Sequence, residues 1–204
     1  MDTATLSYFL LASALLTLAP GPDVMYLLAK SLADGARSGI ALAGGLASGV
    51  IFHTTLVILG VAALIQSSPS ALALLKTVGA VYLLYLAFGA LRDKSEIRLG
   101  NAGASESRFS LYRRGVLMNV LNPKVLLFFL TFFPQFIPTD AENVGQQIAL
   151  LGLFFSAQAF LIFSAIALCA GRLRRLLLQK KGIGRVLHIT EGVVLLLIAV
   201  FLLL

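Results

Sequence analysis

The stretch Leu15-Leu16-Thr17-Leu18-Ala19-Pro20-Gly21-Pro22-Asp23-Val24-Met25-Tyr26-Leu27-Leu28-Ala29 is apolar on both sides of a break that carries two prolines and a carboxylate. Proline removes a backbone donor and collides with the preceding helical turn, so Pro20 and Pro22 must interrupt any helix running through them. The carbonyls freed there need partners that lipid does not supply. A charge beside the break adds a penalty of roughly 2.5–3.5 kcal/mol in a bilayer. The same combination recurs a hundred residues on. Asn122-Pro123-Lys124-Val125 again puts a turn-forming residue, a proline and a charge inside a long apolar run. Broken helices with polar groups at corresponding positions of two halves are the sequence mark of a transporter's binding site.

The rest of the chain agrees with a membrane setting. Of 204 residues, 59% are hydrophobic and only 12% are charged. That is too little polar side chain to clothe a water-soluble domain. Cys169 stands alone, so no internal disulfide is possible, and with two histidines it makes no zinc cluster. Six stretches reach the roughly 20 apolar residues that a spanning helix needs: 6–29, 39–65, 70–91, 115–137, 147–169 and 186–204. They are long, continuous and rich in Leu and Ala, unlike the short alternating strands of a β-barrel. The fold class expected is all-α and membrane-integral, with the first and fourth helices broken at proline. The first stretch is not expected to be a cleaved signal, because no basic residue precedes it and its apolar run is too long.

Loop charge sets the orientation. Every basic residue except Lys76 and Lys124 falls in or beside the loops after the first, third and fifth spans. The positive-inside rule makes that side cytoplasmic and sends both termini outward. The net charge of +7 is then a topology signal that can also attract anionic lipid. Nucleic acid is a poor partner for charges that flank membrane spans. Residues 93–114 read as a cytoplasmic linker, with Phe109-Ser110-Leu111-Tyr112 a short interfacial turn. The linker divides the chain into residues 1–92 and 115–204, each with three spans. An odd number per half forces opposite orientations, so the expected architecture is an inverted repeat. Gly79-Ala80-Val81 in the third span and Gly192-Val193-Val194 in the sixth are a weaker match between the halves.

These residues also carry a resemblance. Ala19-Pro20-Gly21-Pro22-Asp23, the glycines Gly35, Gly39, Gly45 and Gly49, and the run from Lys76 to Leu86 match the LysE/RhtB family of bacterial amino-acid exporters. So do Gly115, Asn119, Asn122-Pro123-Lys124, Phe128-Phe129 and Pro134-Gln135-Phe136. The chain resembles that family over nearly its whole length, least in residues 93–108. The resemblance implies export of amino acids driven by the proton-motive force across the bacterial inner membrane, without a cofactor. Neutral or small amino acids, or close derivatives, are the expected substrates.

Asp23 could bind a substrate ammonium or take up a proton; it could also form a structural ion pair. Lys124, its counterpart in the second half, could bind a substrate carboxylate or simply neutralise Asp23. Gly21, Pro22 and Pro123 shape the breaks around them. Asn119 and Asn122 could donate to a carboxylate or cap freed carbonyls, with capping favoured for Asn122. Gly45, Gly49 and His53 recur every four residues on one face, where the glycines permit close packing. His53 is a proton-relay candidate because imidazole ordinarily titrates near neutrality, although a neutral, hydrogen-bonded histidine at a helix contact fits better. Glu191 is a second candidate for the path, or a partner of His188. Gln158 suits a hydrogen bond between helices, Lys76 can snorkel outward, and the phenylalanines of residues 128–136 suit core or lipid. Small-residue faces such as Gly45 and Gly49 could also serve a homodimer, the expected assembly.

Two other classes fit the residues less well. Neither HExxH, GxSxG, a paired catalytic carboxylate nor a cysteine–histidine pair occurs, so no enzymatic reaction follows from the residues. A transporter of a metal cation is disfavoured by the scarcity of carboxylates and cysteines in the spans.

Overall fold

The computed structural model describes residues 3–61, 69–93, 106–137, 143–172 and 183–203, and every regular element among them is helical. The α-helices are α1 (Thr3–Leu18), α2 (Pro22–Asp34), α3 (Ala36–Leu56), α4 (Pro69–Arg92), α5 (Arg108–Val120), α6 (Pro123–Thr131), α7 (Val144–Arg172) and α8 (Ile183–Leu203). A π turn at Val57–Val61 prolongs α3, and a 3-10 turn at Phe133–Phe136 follows α6.

Four segments are long and apolar enough to cross a bilayer: Ala36–Gly60, Ala73–Arg92, Val144–Ala170 and Gly184–Leu203. The number rises to six if each of two bent pairs is one span. Both bends fall on the proline motifs. The α1/α2 pair turns by 61°, and α5 turns by 52° into α6 and its 3-10 extension. Pro22 and Pro123 each open the following helix, where a missing N–H does no harm. Asn122 caps α6, its Oδ1 accepting from the Lys124 N–H at 3.0 Å. Gly21 N–H folds back onto the Ala19 carbonyl at 2.8 Å.

Helix α5 begins at Arg108, so residues 108–114 form its first two turns, and Phe109-Ser110-Leu111-Tyr112 is part of a longer helix. The cause is a local cap, since Ser107 Oγ accepts from Ser110 N–H at 3.2 Å. Residues 94–105, the end of the second expected span at 62–65, and 173–182 with its leucine run lie outside the described residues.

Packing joins the pieces. The α2–α3 reversal uses one residue, Gly35, whose φ of +86° suits glycine. Helix α3 lies between α5 and α7, and α4 pairs with α8. At the α3–α5 crossing the backbones touch. A Cβ on Gly45 would fall 2.0 Å from the Tyr112 carbonyl oxygen, and one on Gly115 would fall 2.4 Å from that of Leu42. Helix α8 approaches α4 through Gly192, whose missing Cβ leaves room for Leu91. Large apolar side chains such as Leu59, Leu153, Leu161 and Phe201 point outward, as a lipid-facing surface requires.

Candidate functional site

The two helix breaks meet at the centre. Asp23, the second residue of α2, and Lys124, the second residue of α6, are each only 4% exposed. A carboxylate suits the positive end of α2; an ammonium at the same place on α6 does not. Lys124 is held there by the C-terminal end of α1, donating from Nζ to the Ala19 carbonyl at 2.8 Å. That carbonyl lies in the break itself, where it also accepts from the Gly21 N–H at 2.8 Å.

Gly21 reports how closely the charges gather. Asp23 Oδ1 and Lys124 Nζ each lie 2.9 Å from the position a Cβ on Gly21 would take, and Glu191 Oε1 lies 3.3 Å from it. The first two atoms are therefore at most twice 2.9 Å apart, yet no ion pair forms between them within 4.0 Å. Asp23 Oδ1 is buried without a hydrogen-bond partner. Lys124 has three N–H donors and gives one to Ala19. The centre is thus an anion and a cation held near each other with hydrogen-bonding capacity unspent.

A cleft of about 870 Å³ leads to this centre, within the usual range of roughly 300–1,000 Å³ for ligand pockets. Its floor is Pro20, Gly21, Pro22 and Glu191, and its mouth is Arg92 and Asp93. Met25, Tyr26, Tyr85, Leu86 and Phe88 form its walls. Beyond the charges, away from the cleft, Thr17, Asp23, Asn119 and Lys124 border a void of about 10 Å³, no larger than one water. Further in the same direction, packing is aromatic. Phe129 stacks on Phe133 with centroids 4.1 Å apart, Phe128 on Phe132 at 4.6 Å, and Phe9 meets Phe133 edge-on at 5.1 Å. Among the described residues, the cleft reaches the exposed Arg92 and Asp93, and aromatic packing fills the Phe9 side.

Other sequence candidates sit around this centre. Asn119 is buried; its carbonyl accepts from His53 Nε2 at 2.9 Å, and its Oδ1 has no partner. Its side chain lies against Gly49, where a Cβ would come within 2.6 Å. His53 is fully buried, and its Nδ1 likewise lacks a partner. It packs against Phe129, on the sealed side of the centre. Gln158 ties α7 to α1, accepting from Ser13 Oγ at 2.6 Å and donating to the Leu10 carbonyl at 2.9 Å. Lys76 is half-buried on α4, and Cys169 is exposed. Among the described residues no cluster of His, Cys, Asp or Glu could hold a metal ion.

Sequence reasoning underrated two features. His188 lies on the cleft wall one turn before Glu191, an i,i+3 spacing visible in the sequence. At the mouth, Lys30 binds Asp34 at 2.7 Å and Glu106 at 3.1 Å, while Arg114 reaches Glu106 at 3.5 Å and donates to the Tyr26 hydroxyl. This network pins α2 to α5 and needs contacts between distant residues that no local pattern announces.

The chain is similar to several known proteins. A protein of Salmonella typhimurium named homoserine/homoserine lactone efflux protein is 34% identical over 142 residues, 70% of this chain and 69% of its own length. A protein of Klebsiella pneumoniae named leucine efflux protein is 28% identical over 187 residues, 91% of this chain and 88% of its own. An uncharacterized membrane protein of Vibrio cholerae is 31% identical over 170 residues, 83% of each chain. No solved structure matches the chain significantly. The model of the LysE type translocator family matches residues 14–204, and the chain belongs to that family.

Proposed function

We propose that this translocator exports neutral or small amino acids, or close derivatives, from the cytoplasm by proton antiport with alternating access. The observation that carries the reading is the convergence of Asp23 Oδ1, Lys124 Nζ and Glu191 Oε1 around Gly21 at the floor of the cleft. An amino acid is a zwitterion. Its ammonium would take Asp23 and Glu191, and its carboxylate would take the two donors of Lys124 not given to Ala19. Asn119 Oδ1, without a partner, is a further acceptor beside Lys124. Among relatives, the names homoserine efflux and leucine efflux fit a site that grips the head group common to amino acids.

The cleft and the aromatic seal support alternating access. The open end carries the basic loops, which we take as cytoplasmic, so the conformation is inward-facing. Residues 1–92 and 115–204 would be the two inverted halves, joined by 93–114, and their bends of 61° and 52° agree with that. Rocking of one half against the other would part the phenylalanines and close the Arg92 end. Proton entry would be coupled through Asp23 or Glu191, with His53 beside the path. Both termini would face outward from the bacterial inner membrane.

The test is efflux from proteoliposomes loaded with radiolabelled homoserine, leucine and other amino acids, with and without a pH gradient. Efflux of at least one, accelerated by protons supplied on the opposite side, is expected. Absence of efflux and exchange for the whole panel would overturn the reading.

A further inference from the structure

The cleft wall carries a row of titratable groups of which the substrate site uses only Glu191. Asp93 follows α4 at the mouth, with its side chain 45% exposed. His188 comes next on α8, at 9%, and Glu191 lies on the floor, at 13%. The imidazole stands between two carboxylates. Its Nε2 is 3.8 Å from Asp93 Oδ2, and its Nδ1 is 3.9 Å from Glu191 Oε2. Both gaps exceed a direct hydrogen bond, and both are short enough for a small rotation or one bridging water to close them. The other oxygen of Glu191 is the one that faces Gly21 and Lys124. One carboxylate therefore touches the central site with one oxygen and the histidine with the other.

The surroundings keep this row in place. Arg185, three residues before His188 on α8, donates from Nη1 to the carbonyls of Leu91 and Asp93, each at 2.8 Å. That contact fixes the Asp93 backbone against α8. Arg92 is engaged elsewhere, its guanidinium lying over the Phe88 ring at 3.9 Å. Among the described residues, the charged groups near His188 include Asp93 from the end of α4, and Arg185 and Glu191 from its own helix. Lys124 and Asp23 stand behind Glu191.

We propose that His188 is the proton relay between the central site and the aqueous mouth of the cleft. This rests on the reading of the protein as a proton-coupled exporter. In the inward-facing state a proton carried on Glu191 passes from its carboxyl to His188 Nδ1. The proton on Nε2 leaves to Asp93 or to water at the mouth. The ring ends neutral in its other tautomer, Glu191 ends ionised, and one proton has moved from site to cytoplasm. Tautomer exchange through water resets the ring. His53 is not on this route, because it faces Asn119 and Phe129 beyond the charges.

The experiment compares wild type, His188→Gln and His188→Ala in proteoliposomes containing a pH-sensitive dye. Substrate exchange and substrate-coupled proton flux are read separately. Gln fills the space without relaying; Ala opens the wall of the cleft, so free imidazole can enter. Expected are exchange at half the wild-type rate or more in both variants and coupled proton flux reduced at least tenfold. Added imidazole restores flux in His188→Ala and leaves wild type unchanged. Coupled flux that survives in His188→Gln overturns the relay alone. Exchange lost together with flux in both variants, without rescue, makes His188 structural and also overturns it. Exchange without coupled proton flux in wild type overturns the antiport reading, and the relay with it.

Discussion

Replacing Gly21 by alanine separates a substrate site from a structural charge cluster. The backbone tolerates the change, since Gly21 has φ −81° and ψ −173°, an extended conformation open to any residue. The added methyl meets Asp23 Oδ1 and Lys124 Nζ at 2.9 Å and Glu191 Oε1 at 3.3 Å, where ordinary contact is 3.4–4 Å. All three are side-chain ends, so each can give by about half an ångström without moving a helix. Folding stability should therefore stay within about 1 kcal/mol of wild type, because the reduced freedom of the unfolded chain offsets part of the crowding. Transport should not be spared. The methyl occupies the gap between anion and cation where a zwitterionic head would seat. Loss of one charge-assisted hydrogen bond there is worth about 1.5–3 kcal/mol, roughly 10- to 100-fold in apparent affinity. The assay is concentration-dependent exchange in proteoliposomes, paired with thermal unfolding in detergent. Wild-type affinity in Gly21→Ala would refute the placement of the substrate at Gly21. A large loss of thermal stability would mean that the charges serve the fold.

The other predictions concern the frame around the site. Gly45→Ala and Gly115→Ala each drive a Cβ into a backbone carbonyl, at 2.0 and 2.4 Å, so α3 and α5 must separate. A cost of about 1–3 kcal/mol or more is expected, seen as a clear fall in unfolding temperature, in contrast with Gly21→Ala. Asn122→Ala removes the α6 cap and should cost about 1 kcal/mol, whereas Asn122→Asp should retain most of it. Gln158→Leu breaks two hydrogen bonds between α7 and α1 and should lower stability by about 1 kcal/mol, with substrate affinity unchanged.

The backbone breaks were legible because proline acts locally. Pro20, Pro22 and Pro123 each remove a donor, and no distant contact can return it. The all-helical membrane class followed equally directly from the length of the apolar runs. Sequence also named Asp23, Lys124 and Glu191 separately, but it left open whether they touch. Their meeting depends on α8 docking on α4 through Gly192 and on Lys124 reaching the Ala19 carbonyl. Such contacts link residues about a hundred positions apart and leave no periodic trace. The start of α5 at Arg108 was not legible, for a local reason. Residues 93–114 are polar enough to read as linker throughout, and the single Ser107 cap that starts the helix is a weak signal among many serines. His188 was visible only as a neighbour of Glu191; its position between two carboxylates needed the fold.

These residues make one connected account. Two proline breaks interrupt the helices; a carbonyl in the first break positions a lysine; the lysine faces an aspartate across a glycine; and the cleft reaches that glycine. The most direct measurement is amino-acid exchange by Asp23→Asn and Lys124→Met beside wild type, in proteoliposomes and under saturating gradients, with folding checked by thermal unfolding. The account predicts folded variants whose apparent substrate affinity falls at least tenfold in each case. Wild-type exchange by both folded variants would contradict it and leave the two charges as a structural pair.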